Sequence, residues 1–188
     1  MQFSKIGTHI GSINGYVYIL IAMIKYKPDT VQVVFEEIPD YVTLAIEITN
    51  CPGMCEGCHS PWLREDIGEE LTPEVLDELI RKNRGVNCIC FMGEGKDPEA
   101  LKRLAFGIHL RSDYPYKVAL YSGRSEVEED YAMYFDFIKV GPYIPKYGPL
   151  NKETTNQRLY QITKNFDEDA GKVEIIREDI TYKFWKKD

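Results

Sequence analysis

Three cysteines, Cys51, Cys55 and Cys58, fall within the stretch NCPGMCEGCHSPW, with Gly53 and Gly57 between them. Thiolates are the usual ligands of iron–sulfur clusters, four of them for a cubane. Intervals of four and three residues let one short loop wrap a single cluster. The glycines allow the unusual backbone angles of such a wrap and let amides come close. Three protein ligands leave one iron of a four-iron cluster without a thiolate, free to bind a small molecule. An electron carrier has no need of that vacancy, but a catalyst does. Two other readings stay open. Zinc could take Cys51, Cys55, Cys58 and His59, although adjacent residues rarely reach one tetrahedral ion together. A disulfide with a spare thiol is the third. The odd total of five cysteines, with Cys88 and Cys90, speaks against a secreted disulfide scaffold and for metal ligation in a reducing cytoplasm.

The loop needs a scaffold, and the pattern around it predicts one. Residues 30–35 (TVQVVF) and 42–48 (VTLAIEI) read as strands, the second running straight into the cysteines. Residues 72–84 read as a helix, with Thr72 as N-cap, Pro73 in the first turn and an apolar stripe of Val75, Leu76, Leu79 and Ile80. A buried strand follows at 86–91, a helix capped by Asp97 at 97–113, a strand at 116–123, a helix at 125–135 and a strand at 136–143. This alternation implies an α/β fold with a mainly parallel sheet, open or a partial (βα) barrel. Sites in such folds gather at the C-terminal ends of the strands. The cysteine loop, MGEGKD, YSGR and VGPY should therefore share one rim. Residues 144–172 read as irregular, with a short element near 157–162, and 172–185 as one or two terminal strands. Cys88 and Cys90, two apart on a strand, face the same side and read as core.

With 188 residues, 44% of them hydrophobic and 28% charged, the chain has the make-up of one soluble globular domain. Its net charge of −7 disfavours nucleic acid as a partner. The apolar run at residues 16–24 is too short to span a bilayer. It could be the core of a signal peptide or a buried strand. We read it instead as part of an N-terminal extension, residues 1–25, with Met23 as an alternative start and one domain at 26–188. His9 and His109 read as incidental.

CPGMCEGC resembles the Cys-x3-Cys-x2-Cys signature of the radical S-adenosylmethionine (SAM) enzymes, and like theirs it follows a strand. NCPGMCEGCHSPWL, ALYSGR, KVGPYIPKYGPL, TTNQRLY and DITYKFW together resemble the activating proteins of anaerobic ribonucleoside-triphosphate reductases, over most of the chain from about residue 26. The resemblance implies a 4Fe-4S cluster on Cys51, Cys55 and Cys58, with S-adenosylmethionine chelating the fourth iron. It implies reductive cleavage to a 5′-deoxyadenosyl radical, which installs a glycyl radical on the partner reductase, and a flavodoxin-like electron donor.

The same resemblance implies that Gly93, Glu94 and Gly95 receive the amino group of S-adenosylmethionine. They stand where the superfamily carries a Gly-Gly-Glu-Pro-like stretch, although here the order differs and the proline arrives only at Pro98. Ser122, Gly123 and Arg124 fall where the family approaches the ribose and carboxylate. A guanidinium fork suits a carboxylate. Asn156, Gln157 and Arg158 are assigned to the site or the partner surface. The blander readings are a glycine turn into the Asp97-capped helix for the first trio and a polar turn for the second. Two further functions remain open. One is activation of another glycyl-radical enzyme of the pyruvate formate-lyase type, and the other is a non-catalytic iron–sulfur or zinc module.

Overall fold

The computed structural model describes residues 10–13, 16–19, 24–111, 114–167 and 171–185. Their strands and helices run, in chain order, β1 (Ile10–Ile13), β2 (Tyr16–Ile19), β3 (Lys25–Tyr26), β4 (Gln32–Val34), β5 (Thr43–Glu47), β6 (Glu69–Glu70), α1 (Pro73–Lys82), β7 (Cys88–Met92), α2 (Pro98–His109), β8 (Lys117–Tyr121), α3 (Tyr131–Tyr134), β9 (Phe137–Val140), β10 (Arg158–Asp167) and β11 (Lys172–Asp179). β1 and β2 form an antiparallel hairpin, which places part of the 16–24 run in a strand; residues 20–23 lie outside the described residues. His9 also lies outside them.

The architecture is mixed α/β. One seven-stranded sheet has the order β11-β10-β9-β8-β7-β5-β4, and the described residues show no pairing between its two outer strands. β5, β7, β8 and β9 are parallel, while β4, β10 and β11 add antiparallel edges. The expected mainly parallel sheet is thus half parallel, three of its six pairings. The parallel centre arises where the sequence is apolar without alternation. Leu44, Ala45, Ile46, Cys88, Ile89, Cys90 and Phe91 are all buried, as strands covered on both faces must be. On one face α1 and α2 pack Leu76, Ile80, Leu101, Leu104, Ala105 and Ile108 against Leu44, Ile46, Ile89, Phe91, Val118 and Leu120. On the other, Ile38 and Ile180 cover Cys88, Cys90, Ala119, Phe137 and Leu159. Both cysteines are therefore core, and burial pushes the Cys88 thiol up to about 12 and that of Cys90 well above its ordinary value.

The two helices begin where their caps predict. Thr72 Oγ1 accepts from Val75 N at 3.2 Å, and Asp97 Oδ1 from Ala100 N at 2.9 Å. Two expectations need correction. The helix at 125–135 shrinks to Tyr131–Tyr134. Its acidic lead-in is drawn elsewhere, Asp130 to Lys102 of α2 at 2.6 Å and Glu128 to Arg124 at 3.0 Å. The irregular region at 144–172 instead holds all of β10, a ten-residue strand that pairs with β9 on one side and β11 on the other.

Candidate functional site

The parallel register aligns Glu47, Met92, Tyr121 and Lys139 as successive cross-strand partners at the C-terminal ends of β5, β7, β8 and β9. The four loops that follow therefore leave from one rim, as the alternation predicts. The cysteine loop is closed at its base by backbone bonds from Cys51 N to Leu63 O (2.8 Å) and Asn50 N to Glu65 O (3.2 Å). Arg64 Nη2 reaches across it to Cys55 O at 2.9 Å, and Ser60 Oγ donates to Glu47 Oε1 at 3.0 Å. Its far side leans on the loop after β9. The His59 ring meets Tyr143 edge-on at 5.5 Å. Gly57, at φ +67°, lies where an added Cβ would be 3.3 Å from Pro145 Cγ and 3.4 Å from Tyr143 Cε1. Only glycine tolerates that angle and that approach together.

Cys51, Cys55 and Cys58 are free and half-exposed. A Cβ added at Gly53 would stand 3.3 Å from Cys51 Sγ and 3.8 Å from Cys55 Sγ, and one added at Gly123 would stand 3.8 Å from Cys55 Sγ. The first and third loops thus bring bare backbone to the thiols. Among the described residues, no group of three or more His, Cys, Asp and Glu side chains is gathered to hold one metal ion. The His59 ring is turned to Tyr143. The thiolates of a cubane each bind a different iron, so they stand farther apart than the ligands of a single ion. The donor set and the glycine cradle suit such a cluster.

The second and third loops meet through Glu94. This carboxylate is 4% exposed. It accepts from Ser122 Oγ, and its Oε2 accepts from Tyr131 OH at 2.9 Å and pairs with Arg124 Nη2 at 3.2 Å. The Glu94 charge and burial together raise the Tyr131 pKa, burial being the larger cause. Ser122 Oγ also accepts from Arg124 N at 3.0 Å. Glu94, Ser122 and Arg124 are thus brought together, with the Glu94 side chain spent on joining loops. Gly93 (φ +118°) and Gly95 (φ +63°) make the turn that carries it, packed against Ile48 and Thr49 at the start of the cysteine loop.

Asn156, Gln157 and Arg158 lie at the β9 end of the rim. Asn156 Nδ2 donates to Pro142 O at 2.8 Å, Gln157 is buried, and Arg158 Nη1 donates to Thr155 O at 2.8 Å and Gln157 O at 2.7 Å. They hold the loop after β9, where Gly141, at φ +99°, passes so close that an added Cβ would be 2.9 Å from Gln157 Cα. His109 is a satisfied helix-end histidine, its Nε2 3.0 Å from Tyr134 O.

One residue escapes the sequence reading. Lys139, on β9, is 8% exposed, and its Nζ donates to Gly141 O at 2.7 Å. Burial drives its pKa down to about 8, and the charges of Cys55 and Glu37 only partly oppose this. A lysine inside the otherwise apolar FIKV strand was the signal that could have found it. A lysine that releases its proton more readily when folded gives stability that rises with pH between about 8 and its ordinary 10.5, where the unfolded chain holds the extra proton. In metal-free protein, Lys139→Met is expected to flatten the rise in urea midpoint across that interval relative to the wild type. An unchanged profile would contradict the assignment.

Comparison of the chain with protein-family models, with curated proteins and with solved structures finds no match. No helix among the described residues is long and apolar enough to cross a membrane.

Proposed function

We propose that the chain is a radical S-adenosylmethionine activase that installs a glycyl radical on an anaerobic ribonucleoside-triphosphate reductase. The observation that carries this reading is the placement of three free, half-exposed thiols, Cys51, Cys55 and Cys58, on the loop leaving the first parallel strand. Their spacing and the family resemblance supply the rest. The sheet would then be the open, partial (βα) barrel of that superfamily. A 4Fe-4S cluster on the three thiols would supply the electron that cleaves the sulfonium to methionine and a 5′-deoxyadenosyl radical, with a flavodoxin-like protein as its source.

The chain's own groups bind and shield. Backbone carbonyls along Gly93, Glu94 and Gly95 receive the substrate's ammonium. Ser122 and Gly123 allow close approach of the ribose, and Arg124 and Lys139 bring positive charge for the carboxylate. Tyr143 and Trp62 limit water at the loop. Met54, 80% exposed, and Tyr147, 40% exposed, give the surround an apolar surface for a macromolecular partner to cover.

The test is anaerobic incubation of the iron-loaded chain with S-adenosylmethionine, a reductant and the reductase. The expected result is a glycyl radical signal in electron paramagnetic resonance and stoichiometric 5′-deoxyadenosine. Signal with a pyruvate formate-lyase type partner but not the reductase would move the assignment to that branch. Iron loading without 5′-deoxyadenosine under any condition would leave only an electron-transfer module.

A further inference from the structure

We propose that β11 is the pairing edge of a homodimer, in which two copies join antiparallel about Ile175 and make one continuous sheet. This rests on the edge geometry alone and not on the catalytic reading. β11 ends the sheet, and the described residues place no strand on its outer side. Every residue of it except Ile175 is exposed. The direction of its backbone groups follows from one bond. Ile180 N donates to Leu159 O at 2.9 Å, and in an antiparallel ladder such pairs alternate. Residues 172, 174, 176 and 178 therefore bond to β10, while the N–H and C=O groups of Val173, Ile175 and Arg177 point outward.

Among the described residues, no third strand pairs with the outer half of this hairpin. β9 pairs only with residues 158–161 of β10, and one further bond joins Ile162 N to Asp136 O at 2.7 Å. Beyond it, Thr163 to Asp167 pair with β11 alone, as a two-stranded ribbon that exposes Phe166 (65%), Val173 (41%) and Ile176 (46%). Two strands by themselves are marginal in water, and an exposed edge invites a further strand.

The strand's own sequence, KVEIIRED, selects a second copy and one register. A twofold axis perpendicular to a sheet keeps side chains on their faces, so it must pass through a residue paired with itself. Centred on Ile175, the pairing sets Lys172 against Glu178 of the second copy, and the axis repeats that contact. Val173 meets Arg177, Glu174 meets Ile176, and the two Ile175 side chains face each other. Moving the centre to Ile176 sets Glu174 against Glu178, and moving it to Glu174 opposes that carboxylate with its own copy. Centring on Val173 also sets Lys172 against Glu174 but pairs only residues 172–174 of the strand, so of the registers that pair most of β11 only the one about Ile175 opposes unlike charges and avoids like ones. It makes about six backbone hydrogen bonds, from the groups of Val173, Ile175 and Arg177.

Sedimentation of the full chain over a concentration series tests this. The wild type should be a dimer in equilibrium with monomer. Ile175→Pro removes an outward N–H that β10 does not use, so it should leave a folded monomer by circular dichroism. Lys172→Glu should weaken the dimer about tenfold by facing Glu178 with a like charge. The double variant Lys172→Glu/Glu178→Lys should restore it. A wild type that stays monomeric throughout overturns the proposal. So does a charge swap that fails to restore association, which also decides the matter should Ile175→Pro not fold.

Discussion

Cys55→Ala is expected to abolish iron and sulfide incorporation, and with it all cleavage of S-adenosylmethionine above background, while the fold persists. Cys55 is the middle ligand of the proposed set. Its sulfur faces both Gly53 and Gly123, and its charge is felt by Lys139. With two thiols left on a half-exposed loop, a cubane would lose a second protein corner. The loop's base is held by the Cys51–Leu63 and Asn50–Glu65 backbone bonds, which do not use that side chain. Circular dichroism and the urea midpoint should therefore barely move. Cys90→Ala is the matched control. Its thiol is wholly buried on the strand behind the rim, among Ala119, Phe137 and Leu159. Its loss should cost about 1 kcal/mol of stability through the small cavity left behind, with iron content unchanged. Full iron in Cys55→Ala, or lost iron in Cys90→Ala, would sink the ligand assignment.

The parts of this molecule that could be read from sequence are those where local chemistry and global burial agree. β5, β7, β8 and β9 are short apolar runs because helices cover one face and the 35–41 and C-terminal segments the other. Thr72 and Asp97 announce α1 and α2 because capping is a contact within a few residues. The common rim follows from alternation alone. β10 was legible only as a short element near 157–162, because Lys164, Asn165 and Asp167 dilute its apolar signal and its inner pairing is with β9, across the long loop that follows that strand. The helix at 125–135 failed for the opposite reason. Its local pattern is acceptable, but Asp130 satisfies Lys102 on another helix. In the site, spacing singled out the thiols. It could not show that the Glu94 carboxylate turns inward, because the groups that claim it come from β8's loop and from α3.

That inward turn makes Glu94→Ala the second large effect. The carboxylate is the one acceptor shared by Ser122 Oγ, Tyr131 OH and Arg124. Removing it leaves a buried phenol and a buried hydroxyl to find other partners, each worth about 1–3 kcal/mol when unsatisfied. Arg124, whose side chain is 39% exposed and already paired with Glu128, can return to water and adds less. A loss of about 2–4 kcal/mol is expected, read as a lower urea midpoint at unchanged slope. S-adenosylmethionine affinity should fall as well, since Ser122 and Arg124 lose what fixes them. The mechanism has a sharper signature in combination. Tyr131→Phe alone deletes one hydrogen bond and costs about 1 kcal/mol. In the Glu94→Ala background the same change removes an orphaned hydroxyl, so it should be neutral or stabilising. The double-mutant cycle should then give a coupling of about 1 kcal/mol or more. Strict additivity would mean that the two side chains do not share the bond, and that the second and third loops are joined some other way.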